Sequence, residues 1–263
     1  MTRRPLDAEL VRRGLASSRA EAQRAVLAGL VIVGGATASK PAAMVAAEES
    51  VFLAAPPKRF VSRGGDKLAA ALDRFGIDPT SRDCLDAGAS TGGFTDCLLR
   101  RGAARVAAVD VGYGQLAWEL RTDPRVVVLE RTNVRDLAPE ALPFEPSLVA
   151  ADLSFISLRL AAPALLRVAA DLADVVLLVK PQFEARAVDV GSGGVVRDPH
   201  VWHQALGSVA ATLSDSGAPA VGMIASPLRG PAGNVEFFLH ARKGGPVVAV
   251  DPGPAIDEGR GIR

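Results

Sequence analysis

From about residue 80 onward the chain repeats one pattern, a short and almost unbroken apolar run followed by a turn or a helically spaced stretch. Runs such as "ARVAAVD", "PSLVAAD" and "ADVVLLVK" lack the in–out alternation of a half-exposed strand. Strands that are apolar on both sides suit a parallel sheet with helices on both faces, since a solvated face would select polar residues at every second position. Strands are predicted near 83–87, 105–110, 126–129, 147–152, 174–180, 219–226 and 234–241, behind a helix at roughly 65–75. The last run, "NVEFFLHAR", alternates, and is expected to return antiparallel at the sheet's edge.

The front of the chain reads differently. Two short helices are predicted over 6–14 and 18–29, with apolar stripes at Leu6, Leu10, Val11 and at Ala22, Val26, Leu27. Ser17 or Ser18 can cap the second, with Glu21 placed three residues after Ser18 as a capping box requires. Strands follow at "LVIVGG" and "SVFLA". Pro56 and Pro57 then deny helix to a linker. The expected division is a small α+β domain over 1–55, a linker over 56–63, a larger α/β domain over 64–245 and a loose tail over 246–263.

Charge is divided the same way. Residues 1–67 hold 11 Lys and Arg against 6 Asp and Glu, while the remainder holds 19 against 23. A basic front on an acidic body is the asymmetry of an appended nucleic-acid-binding module, which makes Arg3, Arg4, Arg12, Arg13, Arg19, Arg24, Lys40, Arg59 and Arg63 its candidate RNA contacts. No apolar run is long enough to cross a bilayer, and no secretory signal is read at the N-terminus. Two cysteines, Cys84 and Cys97, make neither a disulfide framework nor a zinc site, and a reducing cytoplasm is expected. His200 and His203 have helical spacing but no third metal ligand, and Trp118 and Trp202 are expected in the core.

"CLDAGASTGGFTDCLL", residues 84–99, runs a strand into an acid and then into small residues before a helix starts. In an open α/β sheet, ligands bind beyond the carboxyl ends of the strands, and small residues there let a ligand approach the backbone. Ser90 replaces the second glycine of the dinucleotide fingerprint, which disfavours an NAD-dependent dehydrogenase, and no Gly-Lys-Ser/Thr follows to make a phosphate loop. Asp110 ends the next strand, where a carboxylate can accept from two ribose hydroxyls. Asn133 and Asp136 follow a third strand, where an adenine edge could be read. The set suits a nucleoside without a diphosphate. S-adenosylmethionine fits, and Asp86, Gly88, Ala89, Ser90, Thr91, Gly92 and Gly93 resemble the first motif of its methyltransferases.

Four charged residues stand in costly places. Lys67 opens an apolar helix, Asp152 and Lys180 end apolar strands, and Glu236 lies within "GNVEFFLH". They resemble the Lys-Asp-Lys-Glu tetrad of ribose 2'-O-methyltransferases related to the heat-shock ribosomal RNA methyltransferase. The segment "RPLDAELVRRGLASSRAEAQRAVLAGLVIVGG" resembles the alpha-L RNA-binding motif of ribosomal small-subunit protein four. "VSRGGDKL", "DAGASTGGFTDCLL", "ADLSFISL", "LVKPQFEA", "GGVVRD" and "GPAGNVEFFL" occur in the order found in the TlyA family, also labelled haemolysins.

That resemblance implies a Rossmann-like S-adenosylmethionine-dependent methyltransferase sheet, a small RNA-binding domain, and cytidine 2'-O-methylation in ribosomal RNA or ribosomal subunits. It implies Lys180 as the base, Lys67 as the neighbouring cation holding the incipient alkoxide, and Asp152 and Glu236 as the acids that orient them. Ser154 and Arg229 are weaker candidates for RNA contact. The competing readings are a non-catalytic RNA-binding protein that carries the cofactor, and a membrane-active haemolysin.

Overall fold

The computed structural model describes residues 3–54 and 59–262. The chain divides into two compact units, Met1–Lys58 and Arg59–Arg263.

In the first unit, β1 (Arg3–Pro5) leads into α1 (Leu6–Arg12), followed by α2 (Arg19–Leu27), β2 (Val31–Val33), β3 (Ala36–Thr37), β4 (Met44–Ala46) and β5 (Val51–Leu53). β1 pairs antiparallel with β4, while β2 lies between β3 and β5. Leu6, Leu10, Ala22, Val26, Val31 and Val45 form the core, so each helix buries most of its predicted stripe, but Val11 is only partly buried and Leu27 is exposed. Ser18 is the N-cap of α2: its side chain accepts from Glu21 N at 3.2 Å. The Glu21 carboxylate returns to the Ser17 amide at 2.7 Å, one residue before the cap.

The second unit opens with α3 (Arg63–Phe75) and continues β6 (Asp83–Ala87), α4 (Gly93–Arg100), β7 (Arg105–Val109), α5 (Trp118–Arg121), β8 (Val126–Leu129), β9 (Leu148–Ala151), α6 (Leu158–Val168), β10 (Asp174–Val179), α7 (Pro181–Glu184), α8 (Pro199–Asp215), β11 (Ala220–Ala225), β12 (Phe237–Arg242) and α9 (Gly253–Gly261). One seven-stranded sheet runs β11-β12-β10-β9-β6-β7-β8. The five strands from β10 to β8 are parallel, and two hydrophobic clusters cover the sheet's opposite faces. Strand order reverses between β6 and β9, which places the ligand crevice of such a fold beyond Ala87 and Ala151.

Three expectations need correction. The alternating run does return antiparallel, but β12 begins at Phe237 and lies between β10 and β11, leaving β11 at the edge. Of the expected linker, 56–58 lie outside the described residues, and the rest is packed. Phe60 is buried in the α3–α4 cluster, Val61 N donates to Asp96 Oδ2 at 2.9 Å, and α3 starts at Arg63. The tail is not loose either. α9 buries Ala255 and Ile256, and the Glu258 carboxylate accepts from Ala225 N at 3.2 Å. Gly259 lets the helix lie close, since a Cβ there would stand 2.9 Å from Val235 Cγ1.

Candidate active site

The turn after β6 is shaped by its neighbours. Gly88 adopts φ +87°, and a Cβ on it would stand 2.4 Å from the Asp152 carbonyl oxygen, so the chain passes there only as glycine. Gly88 N and Ala89 N both donate to Val109 O, at 2.8 and 3.1 Å. Ser90, at φ +47°, donates its amide to Asp110 Oδ2 at 2.8 Å, and Asp110 Oδ1 accepts from Gly112 N at 2.7 Å. Each Asp110 oxygen keeps a lone pair beyond its one loop bond.

Gly88, Ser90, Asp110, Asn133 and Asp152 line a cavity of about 710 Å³ that opens at the reversal of strand order. The volume lies within the range of small-molecule sites. Ala89 lines a small crevice beside it, shared with Ser90, Asp110 and Gln115. Thr91, Gly92 and Gly93 line neither. A Cβ on Gly92 would meet Leu120 Cδ1 and one on Gly93 would meet Ser62 Oγ, each at 2.2 Å, so these glycines seat α4 against its neighbours. Asp136 is exposed at the end of a single 3-10 turn, outside the cavity, so an adenine edge would fall to Asn133 alone. Asn133 already caps that turn by accepting from Arg135 N at 3.1 Å.

Asp86 lies beneath the turn with no solvent exposure. Its Oδ2 accepts from Thr95 N at 2.8 Å and Thr95 Oγ1 at 2.6 Å, whereas Oδ1 has no hydrogen-bond partner among the described residues. Burial is the main cause that pushes its carboxyl up to about 7, and Thr95 works against it.

The two lysines pair with two different acids. Lys67 Nζ donates to Glu236 Oε2 at 2.5 Å, both groups buried. Lys180 Nζ lies 2.5 Å from Asp152 Oδ1, an ion pair without hydrogen-bond alignment, and donates to Ser154 Oγ at 3.0 Å. Sheet direction explains the meeting. Asp152 and Lys180 follow the carboxyl ends of parallel neighbours, and because β12 is antiparallel, its amino end brings Glu236 to the same edge.

Sequence reasoning missed two residues beside these pairs. Phe155 is 92% exposed at φ +62°, lines the cavity, and stands 5.3 Å from the Phe183 ring. Its signal was an apolar residue just past the end of a strand in "ADLSFIS". Glu184 is buried and accepts from Ser157 Oγ at 2.5 Å and Leu158 N at 2.6 Å. Its signal was a lone acid in "VVLLVKPQFEA". Trp118, expected in the core, is three-quarters exposed, while Trp202 is buried.

The basic front is partly consumed by internal pairs. Arg12 and Arg13 both bond the buried Glu9, holding its carboxyl down to about 2, and Arg19 bonds the buried Asp7. Arg13 also donates to the carbonyls of Ala47 and Glu49, and Arg3 pairs with Glu49 at 3.1 Å. Arg4, Arg24 and Lys40 are exposed and form no ion pair among the described residues of this unit. In the second unit, Arg59 lies over the Phe60 ring and Arg63 donates to Arg229 O.

Comparison with known proteins adds identity to this geometry. The family model described as FtsJ-like methyltransferase matches residues 60–243, and that of the S4 domain matches residues 4–51. Over 238 residues the chain is 55% identical to the 16S/23S rRNA (cytidine-2'-O)-methyltransferase TlyA of Mycobacterium tuberculosis, covering 90% of this chain and 89% of that protein. It is 44% identical to the putative rRNA methyltransferase YqxC of Bacillus subtilis, covering 89% and 84%. A solved structure described as a putative hemolysin from Streptococcus thermophilus superposes with a TM-score of 0.74 at 38% identity, covering 99% of this chain and 96% of that one.

Proposed function

We propose that this chain, which belongs to the FtsJ-like methyltransferase family, methylates a ribose 2'-hydroxyl of ribosomal RNA using S-adenosylmethionine. The observation that carries the reading is the convergence of two lysine–carboxylate pairs on the sheet edge that holds the cavity. Cytidine is the proposed nucleoside, because the Mycobacterium tuberculosis relative is named for cytidine in both 16S and 23S rRNA. The S4 domain supplies the RNA-docking end of the chain, with Arg4, Arg24 and Lys40 as its available cations.

The cavity fits the cofactor. Asp110 has lone pairs to offer a ribose, Asn133 lines the same cavity with an amide suited to an adenine edge, and the backbone at Gly88 is open to close approach. The orphaned Asp86 Oδ1 leaves a buried polar atom without a partner beneath the same turn. When bound, S-adenosylmethionine supplies a methyl carbon on a cationic sulfur.

Once its ammonium has given up a proton, Lys180 accepts the 2'-hydroxyl proton at Nζ, the atom that Asp152 and Ser154 fix from two sides. Lys67, anchored by Glu236, sets a positive charge where the alkoxide develops. Phe155 offers a π-face at the cavity mouth on which the target base can stack. Much of the acceleration then comes from holding the ribose oxygen in line with the methyl group.

A membrane-active reading follows from the relatives named hemolysin. Among the described residues, no helix is long and apolar enough to cross a membrane. The two lysine–carboxylate pairs favour the methyltransferase.

The test is transfer of labelled methyl from S-adenosylmethionine to ribosomal subunits that lack the modification, with product mapped by resistance to alkaline cleavage. Lys180→Ala is expected to lower the rate about 10²- to 10⁴-fold while cofactor binding persists. Label on a base rather than a ribose would overturn the reaction class.

A further inference from the structure

A second concavity, of about 530 Å³, lies apart from the cofactor cavity and has a different character. It is formed where the loop 195–197, the loop 229–235 and the end of α9 meet, and Arg197, Arg229 and Arg260 line it. We propose that this groove holds backbone phosphates of the RNA strand adjoining the target nucleotide, with Arg197 as its contacting cation. The inference rests on the RNA methyltransferase reading above.

Four observations carry it. Arg197 is exposed and forms no ion pair or hydrogen bond among the described residues, so its guanidinium is available. Arg229 is fixed without a carboxylate: it donates to Ile262 O at 3.2 and 2.5 Å and to Gly233 O at 3.0 Å, all backbone carbonyls. The loop that presents Arg197 is pinned by the buried Asn234, whose side chain accepts from Val196 N at 2.9 Å and donates to Gly194 O at 2.8 Å. The fourth is the path from the chemistry to the groove. Arg63 and Lys67 share one face of α3 at four-residue spacing, and Arg63 donates to Arg229 O at 3.1 Å. On the other side, Gly230 follows Arg229, and a Cβ there would stand 2.4 Å from Glu236 Oε1.

Nearby acids do not neutralise this line. Asp257 pairs with Arg260 at 3.0 Å, Glu258 pairs with Arg74 at 2.7 Å and Glu236 pairs with Lys67, while Asp198 turns to the amide of His200 as the cap of α8 and forms no ion pair with Arg197 among the described residues. Arg63, Arg197 and Arg229 form no ion pair among the described residues, and the line they make starts one helical turn from Lys67. A polyanionic strand fits such a run of cations, and planar guanidinium groups suit phosphate oxygens.

The experiment compares wild type, Arg197→Ala and Arg197→Lys for affinity toward protein-free ribosomal RNA over a series of salt concentrations, alongside S-adenosylmethionine affinity and methyl transfer. Arg197→Ala is expected to weaken RNA binding several-fold, to reduce the slope of log K against log salt by about one, and to leave cofactor affinity unchanged. Arg197→Lys should recover most of the slope, since a phosphate contact needs charge before shape. An unchanged slope and affinity in Arg197→Ala, with wild type active on RNA, would overturn the groove while leaving the methyltransferase intact. A wild type that binds RNA with the expected salt slope but transfers no methyl would overturn the methyltransferase instead. Weakened cofactor binding in Arg197→Ala would also sink the proposal, because the groove would then belong to the cofactor site.

Discussion

The Glu184 carboxylate ties the strand end that delivers Lys180 to the loop that carries Ser154 and Phe155, accepting from Ser157 Oγ at 2.5 Å and from Leu158 N at 2.6 Å. It stands at the end of α7, which begins directly after Lys180, and the amide it holds is the first of α6. A buried carboxylate at a helix N-terminus is stabilised by the amides it faces, and its removal leaves a buried donor without a partner.

Glu184→Ala is therefore expected to destabilise the protein by about 2–4 kcal/mol. It should also lower kcat more than it weakens cofactor affinity, because Ser154 and Lys180 lose their common brace. Glu184→Gln retains an acceptor and should restore most of kcat. A purely structural Glu184 would show equal kcat in both variants once each is folded.

Asp86 makes stability fall with rising pH. The folded protein holds its proton up to about pH 7, while the unfolded chain releases it near the ordinary value of 3.8. Between these values the folded state binds more protons, so this contribution is fully present below about pH 4, shrinks as pH rises, and is lost above about pH 7. The full span is on the order of 4 kcal/mol. Urea unfolding at about pH 5 and about pH 8 should show a larger loss in wild type than in Asp86→Asn. Equal losses would show that Asp86 titrates alike in both states.

Phe155 is tested by separating its two sides. Phe155→Ala should leave cofactor affinity intact and lower methyl transfer to ribosomal RNA about tenfold, the size of one lost base–aromatic stack. Phe155→Trp should keep activity, as a larger π-face stacks at least as well. Loss in both variants would assign Phe155 to loop conformation rather than to stacking.

Gly88→Ala strains the turn twice, through φ +87° and through the Asp152 carbonyl 2.4 Å away. The expected cost is about 1–3 kcal/mol of stability. Since Asp152 would have to shift, activity should fall further than stability accounts for. Calorimetric cofactor binding and methyl transfer, measured well below the melting temperature, check this. Unchanged activity would mean that the Asp152 backbone yields without moving its carboxylate.

Much of this could be read from the chain because burial writes itself into composition. The strands that lead into Asp110, Asp152 and Lys180 are covered on both faces, and only apolar runs survive there. Elements of two or three residues escape such reading. β1, "RRP", shows no periodicity, and its pairing is imposed by β4 some forty residues later. α9 was hidden because only Ala255 and Ile256 are apolar, and the rest of its hold is polar, through Glu258 and Arg229.

In the site, the charged residues were legible as costly exceptions, but their partnerships were not. Nothing in the spacing says that Lys67 takes Glu236 while Lys180 takes Asp152, since strand direction alone decides which termini share an edge. Asp136 failed for a local reason, because one 3-10 turn separates it from the wall that Asn133 reaches.

The Lys67–Glu236 bond joins positions 169 residues apart, the first helix of the larger unit to the loop before its last strand. During synthesis, Lys67 leaves the ribosome long before Glu236 exists, and β12 must then insert between two strands rather than add to an edge. On the roles proposed for these residues, a growing chain is therefore chemically silent until Glu236 has emerged. An enzyme that methylates ribosomal RNA would thus acquire its reactivity late in its own translation.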